Sequence, residues 1–368
     1  MLEKLDKCNI CPHQCKVNRN QGKIGRCKAT EKIKIALYST HNFEEPCISG
    51  EKGSGTIFFS NCNLNCVFCQ NYEISQLGKG KDISIEELAN IFLKQQEKNV
   101  ENINLVTPTS YIPQIIEAIK IAKSNGFKLP IIYNTNAYEK VETLKMLEGY
   151  IDIYLPDLKY AENDVAKEYS KIDNYFEIAT KAIQEMIRQV GIPELNKKGI
   201  MQKGVMIRHL VLPSYIENSK KVLKWIKDNL DDKIYVSIMA QYFPTYKAKE
   251  YEKINRKLTK EEWKKIENYI EQALFYARSN VPEKDYYVKK QNLKEIVNIS
   301  GKDERTLAAR FEEHRREIHE RIMKEHPELA QRFKERRHRL DEHLKEKRPE
   351  VYDLVVSFRE MENKKDLE

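Results

Sequence analysis

Cysteine is absent from the chain after Cys69, and three further absences narrow the class of protein. No stretch approaches the roughly 18 consecutive apolar residues that a membrane-spanning helix needs. The first residues, Met1 to Asp6, lack the apolar segment of a signal peptide. No GxGxxG motif follows the first strand-like run, which weakens the case for a dinucleotide-binding fold. We therefore expect a soluble, cytoplasmic protein that has no membrane partner.

Charge of both signs is abundant and nearly balanced. The 368-residue chain has 64 basic and 56 acidic residues, a formal net charge of +8. This excess is mild for so many charges, so it favours an acidic partner only weakly, and nucleic-acid binding is not expected. The length allows two domains, or one barrel-sized domain with additions.

All eight cysteines lie in the first 69 residues. A disulfide framework is typical of small secreted domains, so this pattern instead predicts thiolates for metal or redox chemistry. Four of the cysteines have spacings that suit a structural zinc or a second iron–sulfur cluster, and reduced thiols without metal are the alternative. This cysteine quartet consists of Cys8, Cys11, Cys15 and Cys27. Cys47 has no partner by spacing and is predicted to be a small buried apolar residue.

The other three cysteines, Cys62, Cys66 and Cys69, lie in the sequence CNLNCVFC. Three thiolates cannot complete a [4Fe–4S] cluster, which normally takes four cysteine ligands. One iron would therefore keep an open coordination position, the feature that separates catalytic from structural metal sites. The motif directly follows the predicted strand TIFFS, at a carboxyl end where such folds bind their ligands.

Six short apolar runs alternate with amphipathic stretches between about residue 52 and residue 280. They are TIFFS, NINLV, LPIIYN, IDIYLPD, VMIRHLVLP and KIYVSIMAQY. Continuous apolar runs of this length suit strands buried on both faces of a parallel sheet. Helix signals lie between them: capping boxes at Ser84 with Glu87 and at Thr259 with Glu262, and a C-cap at Gly126. Six strand–helix units favour a partial barrel over a closed eight-stranded one.

The cysteine motif, with Phe68 before its third cysteine, resembles the cluster loop of the radical S-adenosylmethionine (SAM) superfamily. GSGTIFFSNCNLNCVFCQNYEIS is similar, more narrowly, to pyruvate formate-lyase activating enzyme-like proteins. The likeness continues through NINLVTPT, YNTN, DIYLPDLKY, RHLVLP and SIMAQYFP, over about residues 5 to 278. It implies an α/β fold, a partial (β/α)6 barrel of radical SAM type, with a [4Fe–4S] cluster and SAM at its mouth.

The resemblance also implies roles for residues at the strand ends. Cys62, Cys66 and Cys69 would ligate the cluster, and Phe68 would lie near the adenine of SAM. Family members often have Gly-Gly-Glu after the second strand and Asp-Thr-Asn after the third, where this chain has Thr107-Pro108-Thr109 and Asn134-Thr135-Asn136. The implied cofactor-binding residues, with Lys159 as the candidate for the SAM carboxylate, are Phe68, Thr107, Thr109, Asn134, Asn136, Asp157, Lys159, Arg208 and Gln241.

The function implied by the resemblance is that of an anaerobic oxidoreductase. It would reductively cleave SAM to a 5′-deoxyadenosyl radical and activate a glycyl-radical enzyme, or another substrate protein, by abstracting hydrogen from a glycine. A flavodoxin- or ferredoxin-type protein would donate the electron. Two alternatives stay open, because fold does not fix substrate. One is the same chemistry on a small molecule or an RNA base, and the other is a non-enzymatic iron–sulfur or zinc scaffold.

Composition divides the chain into three predicted segments. Residues 1–48 form a Cys-rich N-terminal segment, residues 49–280 the radical SAM partial barrel, and residues 281–368 a charged helical extension. In the extension, Leu307, Phe311, His314, Ile318 and Ile322 recur at three- and four-residue steps, as one face of an amphipathic helix requires. We expect a solvated helical hairpin, with a docking element for a partner or a nucleic-acid contact as the alternatives.

Overall fold

The computed structural model describes residues 2–278, with side chains through residue 270. The predicted helical extension, residues 281–368, lies outside this range and stays a prediction. Within the described range, no helix combines the length and apolarity needed to cross a bilayer.

The nine described strands belong to one mostly parallel sheet. They are β1 (Ile33–His41), β2 (Ser54–Phe59), β3 (Lys81–Ile83), β4 (Ile103–Val106), β5 (Ile131–Thr135), β6 (Ile153–Pro156), β7 (Glu194–Leu195), β8 (Met201–Leu210) and β9 (Tyr235–Met239). Their order in space is β3-β1-β2-β4-β5-β6-β8, and the long strand β8 also pairs with both β7 and β9. The pairs from β2 through β4, β5, β6 and β8 to β9 are parallel, whereas β1, β3 and β7 pair antiparallel.

The six parallel strands coincide with the six apolar runs of the sequence. Among the described residues the sheet does not close, because β9 pairs only with β8 at one edge and β3 only with β1 at the other. The predicted α/β fold with an open, partial barrel is therefore confirmed. The carboxyl ends of its parallel strands meet at one edge, where such folds bind ligands.

Helices connect the parallel strands. The described ones are α1 (Pro46–Ser49), α2 (Tyr72–Ser75), α3 (Ile85–Glu97), α4 (Ile112–Ser124), α5 (Val141–Leu144), α6 (Asn163–Ser170), α7 (Tyr175–Val190), α8 (Ile216–Asn229) and α9 (Lys260–Arg278). Both predicted capping boxes are present, at the start of α3 and at the start of α9. Gly126 lies one residue beyond the predicted position: Asn125 is the C-cap of α4, and Gly126 follows it with φ of 89°.

The two faces of the sheet are both buried, which explains the continuous apolar runs. On β6, Tyr154 points into the large core between the sheet and the helices, whereas Ile153 and Leu155 point into a smaller core inside the barrel. Ile48 of α1 reaches into that interior core as well. Two contacts thus attach the chain before residue 49 to the barrel. Ile48 packs in the interior core, and β1 pairs with β2.

Candidate active site

The cysteine loop, residues 62–69, leaves the carboxyl end of β2 and is fixed by backbone hydrogen bonds to two helices. The amide of Cys62 donates to the carbonyl of Ser75 in α2 at 3.0 Å, and the amide of Val67 donates to the carbonyl of Tyr169 in α6 at 2.8 Å. These two hydrogen bonds hold the loop at the predicted strand end.

Two of the loop thiols lie against serine hydroxyls. The sulfur of Cys66 is 3.0 Å from Ser170 Oγ, which is also 2.7 Å from the hydroxyl of Tyr160. The sulfur of Cys69 is 3.1 Å from Ser75 Oγ. Hydrogen bonds to cysteine sulfurs are among the features that set the reduction potential of an iron–sulfur cluster.

The third thiol, that of Cys62, accepts a hydrogen bond from a side chain at the end of β5. Asn136 Nδ2 donates to the sulfur of Cys62 at 3.4 Å and to Asn63 Oδ1 at 2.8 Å. The amide of Leu64 also donates to the Cys62 sulfur, at 3.4 Å. Asn136, a predicted cofactor-binding residue, is therefore placed beside the predicted cluster ligand Cys62.

Burial controls the protonation of these thiols. It raises the pKa of Cys62, Cys66 and Cys69, although the positive charge of Lys159 opposes the shift and leaves the pKa of Cys66 at about 11. Metals bind cysteine as the thiolate, so metal binding at such a site releases protons. These buried thiols would therefore lose their protons upon metal binding.

An ion-pair cluster lies next to the cysteine loop at the ends of β5, β6 and β8. Asp157 accepts from Lys159 Nζ at 2.7 Å and from Arg208 Nε at 3.0 Å, and Arg208 Nη2 donates to Asn134 Oδ1 at 2.7 Å. Burial opposes the charge on Asp157, yet the two cations outweigh it and hold the pKa of its carboxyl below the usual range. Burial alone would lower the pKa of Lys159, but the carboxylate of Asp157 raises it. The cluster thus keeps two fixed cations at the mouth of the barrel.

One member of this cluster was not among the predicted site residues. Glu44, between β1 and α1, has its Oε2 3.7 Å from Arg208 Nη1 and its Oε1 3.1 Å from His41 Nδ1. The sequence HNFEEPC offered only a weak signal, since adjacent carboxylates before a proline are also common in ordinary loops. The contact joins the β1–α1 segment to β8.

The remaining predicted residues have different surroundings. Phe68 is buried and packs edge-to-face on Tyr242, with ring centroids 5.8 Å apart. Thr107 adopts a left-handed backbone with φ of 60°, and its amide donates to the carbonyl of Asn134 at 2.9 Å. Gln241 is exposed just beyond β9, and its amide nitrogen is 3.7 Å from Met239 Sδ. The structure does not bring Gln241 into the ion-pair cluster.

Residues 56–226 match the family model described as the radical SAM superfamily. The uncharacterized protein MJ0674 of Methanocaldococcus jannaschii is 36% identical over 282 residues, which are 73% of this chain and 75% of that protein. The chain belongs to the radical SAM superfamily. This membership implies a [4Fe–4S] cluster and SAM as cofactors.

Two further similarities differ in strength. The pyruvate formate-lyase-activating enzyme of Clostridium pasteurianum is 26% identical over 255 residues, 64% of this chain and 97% of that enzyme. The crystal structure of Streptococcus suis SuiB bound to the precursor peptide SuiA is 16% identical, with a TM-score of 0.40, and covers 57% of this chain. This radical SAM chain spans 44% of the SuiB structure, less than half of its length.

The donor set of the cysteine loop fits the cofactor of the radical SAM superfamily. Three thiols converge on the carboxyl end of β2, one ligand short of the four that a [4Fe–4S] cluster normally takes. Three thiol donors with one coordination position left open suit a cluster that binds a further ligand better than a closed, four-ligand structural zinc site.

Glu139 was not among the predicted site residues, yet its hydrogen bonds join the loops after β4 and β5 of this radical SAM barrel. Its Oε1 accepts hydrogen bonds from Thr109 Oγ1 and Thr135 Oγ1 at 2.6 Å and from the Tyr133 hydroxyl at 3.0 Å. Its Oε2 has no partner among the described residues. The hydroxyl of Thr109, a predicted cofactor-binding group, is thus engaged with a buried carboxyl.

The charge state of Glu139 should make stability depend on pH. Burial raises its pKa to about 7, against the lowering effect of its three hydrogen bonds. The folded chain therefore favours the protonated form, so the stabilisation is complete below the unfolded pKa near 4.5 and is lost as the pH rises through 7. We expect Glu139→Gln to gain about 3 kcal/mol of unfolding free energy relative to the unaltered chain between pH 5 and pH 8.5.

Urea unfolding of both metal-free proteins across this pH range measures the difference. Glu117→Gln is the control, since Glu117 on α4 is partly exposed and pairs with Lys120, and the difference from the unaltered chain should stay small at every pH. A pH-independent difference between Glu139→Gln and the unaltered chain would show that Glu139 is ionised throughout.

Proposed function

We propose that this radical SAM enzyme activates a partner protein by abstracting a hydrogen atom from one of the partner's glycines. The alignment with the pyruvate formate-lyase-activating enzyme supports this proposal, since it extends over 97% of that enzyme. The name of that relative describes an enzyme that acts on another enzyme. A protein substrate is therefore the first candidate for this chain.

Cys62, Cys66 and Cys69 would hold the cluster, which with SAM supplies one-electron cleavage of the sulfonium. The protein's own contribution is to bind and orient SAM and to keep water away. Phe68 suits the adenine because it is a buried aromatic side chain within the cysteine loop.

The ion-pair cluster suits the amino-acid part of SAM, whose carboxylate carries a negative charge. Lys159 is the first candidate for that carboxylate, because its side chain is only 18% exposed and its charge acts on all three loop thiols. Lys159 and Arg208 both contact Asp157, so Arg208 would hold the carboxylate of Asp157 in place while Lys159 turns to the ligand. Asn134, Asn136 and Thr107 would complete the polar lining.

The test uses anaerobically reconstituted full-length protein with SAM, a reductant and a glycyl-radical enzyme of the pyruvate formate-lyase type. We expect 5′-deoxyadenosine in the solution and a glycyl radical on the partner, detected by electron paramagnetic resonance. The same partner with its radical-bearing glycine replaced by alanine should give no radical signal. A flavodoxin or ferredoxin should replace the chemical reductant, as the resemblance implies.

The outcomes separate the proposal from its alternatives. If 5′-deoxyadenosine is released while no protein radical forms on any glycyl-radical partner supplied, the activase proposal is contradicted and a small molecule or an RNA base becomes the better candidate. If reduced, cluster-loaded protein releases no 5′-deoxyadenosine at all, the proposed SAM chemistry itself is contradicted.

A further inference from the structure

The cysteine quartet, which the proposed function does not use, is gathered around one small pocket. Its members span nearly twenty positions of sequence, yet all four line this pocket, and all four are free thiols. Cys8 and Cys11 are buried, whereas Cys15 and Cys27 are partly exposed. The pocket has no other described function in the molecule.

Local backbone structure brings the sulfurs together. The amide of Cys8 donates to the carbonyl of Val17 at 2.9 Å, and the amide of Lys16 donates to the carbonyl of Cys8 at 2.8 Å, which closes a tight loop around Cys11 and Cys15. This loop brings Cys8, Cys11 and Cys15 to one side of the pocket.

The backbone of Gly25 and Arg26 lies close to the sulfur of Cys15. A side chain at Gly25 would place its Cβ 2.8 Å from the Cys15 sulfur, so only glycine allows this approach. The amide of Arg26 donates to that sulfur at 3.3 Å. Backbone N–H groups directed at cysteine sulfurs are among the interactions that stabilise and tune thiolate-bound metal centres.

A buried arginine in the same pocket lacks a negative partner. Arg19 lines the pocket and is 1% exposed. It donates only to the carbonyls of Thr30 and Ser110, and its guanidinium lies 5.8 Å from the ring centroid of Tyr111. No described carboxylate lies within ion-pair distance of it. An unpaired buried charge is costly, and four metal-bound thiolates would supply the missing negative charge.

We infer that the cysteine quartet binds a metal centre as four thiolates, a second iron–sulfur cluster or a structural zinc, with Arg19 as its buried counter-charge. Four cysteine thiolates are a ligand set of both centres. Either centre would place negative charge beside the buried guanidinium of Arg19. Bound iron with acid-labile sulfide would identify the cluster, and bound zinc would identify the single ion.

The test separates the two sites by removing the first one. In the full-length variant Cys62→Ala/Cys66→Ala/Cys69→Ala, anaerobic reconstitution with iron and sulfide, or with zinc, should still give bound metal: about four irons per chain with equal acid-labile sulfide, about two for a [2Fe–2S] centre, or about one zinc. Adding Cys11→Ala and Cys15→Ala should reduce the bound metal to background. Cys47→Ala in the same background should change neither value, because Cys47 packs in the barrel interior.

The triple variant leaves the quartet intact, so its metal content is informative even if quartet variants fold poorly. Absence of both iron and zinc from that variant would overturn the inference. In the same background, Arg19→Met should retain less metal than Arg19→Lys, since only lysine keeps the positive charge. Equal metal content in these two variants would contradict the counter-charge role. These results are independent of the proposed function, which depends on SAM cleavage by the chain with the cysteine loop intact.

Discussion

Cys66→Ala protein should release 5′-deoxyadenosine from SAM more than ~100-fold more slowly than the unaltered chain, because loss of a ligand exceeds the 10- to 100-fold effect of losing a ligand's partner. Cys66 is 8% exposed and sits between the other two loop cysteines, with Ser170 against its sulfur. Alanine removes one of only three thiols at the end of β2. The other five cysteines have different surroundings: four line the quartet pocket, and Cys47 packs on the interior core.

Iron and sulfide analysis of the same samples shows whether the lost activity comes from a lost cluster. Bound iron should fall by the content of one cluster, and any iron that remains should be that of the cysteine quartet. Cys47→Ala is the control, since it removes a half-buried thiol that packs on the interior core instead. A Cys66→Ala protein with full iron content and an unchanged cleavage rate would refute the cluster assignment.

Much of the fold could be predicted because strands that are buried on both faces appear in the sequence as continuous apolar runs. Strands β4, β5 and β6 have neighbours on both sides and helices over one face, so nearly every residue in them is buried and most are apolar. The cysteine loop could be located because it follows the first of these strands directly. Such features depend on residues close together in the chain.

The missed features depend on residues far apart in the chain. Glu44 reaches Arg208 only because β1 pairs beside β2 while β8 lies on the other side of the barrel opening. Glu139 reaches Thr109 across two neighbouring strand ends, so a hydroxyl predicted for cofactor binding is engaged in the core. Spacing within a motif carries no record of such contacts, which are fixed by sheet order and packing.

Arg19 shows the same limit in the N-terminal segment. The sequence does not indicate that Arg19 is buried, because arginine is usually exposed. The structure places it against Tyr111 and the cysteine quartet. The spacing of the four cysteines left zinc, an iron–sulfur cluster and free thiols as alternatives. A buried cation beside the thiols favours the two alternatives in which they carry negative charge.

Asp157→Asn should destabilise the metal-free chain by about 3–5 kcal/mol of unfolding free energy, the range found when one partner of a buried ion pair is removed. Asparagine preserves the shape of the side chain but not its charge. Lys159 and Arg208, 18% and 16% exposed, would then face each other without the carboxylate that both contact. Glu44 is farther away, at 3.7 Å from Arg208, and cannot compensate for both cations.

The effect should depend on pH in a defined direction. The cations hold the pKa of Asp157 below its usual range, so its stabilisation is present above the unfolded pKa of about 3.9 and is lost as the pH falls through the lower folded pKa. Urea unfolding of the two proteins should therefore show a large difference at pH 7 that shrinks below about pH 4.

Two further variants test whether charge pairing is the cause. Asp82→Asn removes an exposed carboxylate whose partner, Lys34, is 3.6 Å away, and it should cost less than about 1 kcal/mol. Adding Arg208→Gln to Asp157→Asn should recover part of the lost stability, because one of the two unpaired cations disappears with it. If the double variant is less stable than the single one by the full cost of Arg208→Gln alone, Asp157 and Arg208 act independently. Packing, rather than the ion-pair cluster, would then stabilise the mouth of the barrel.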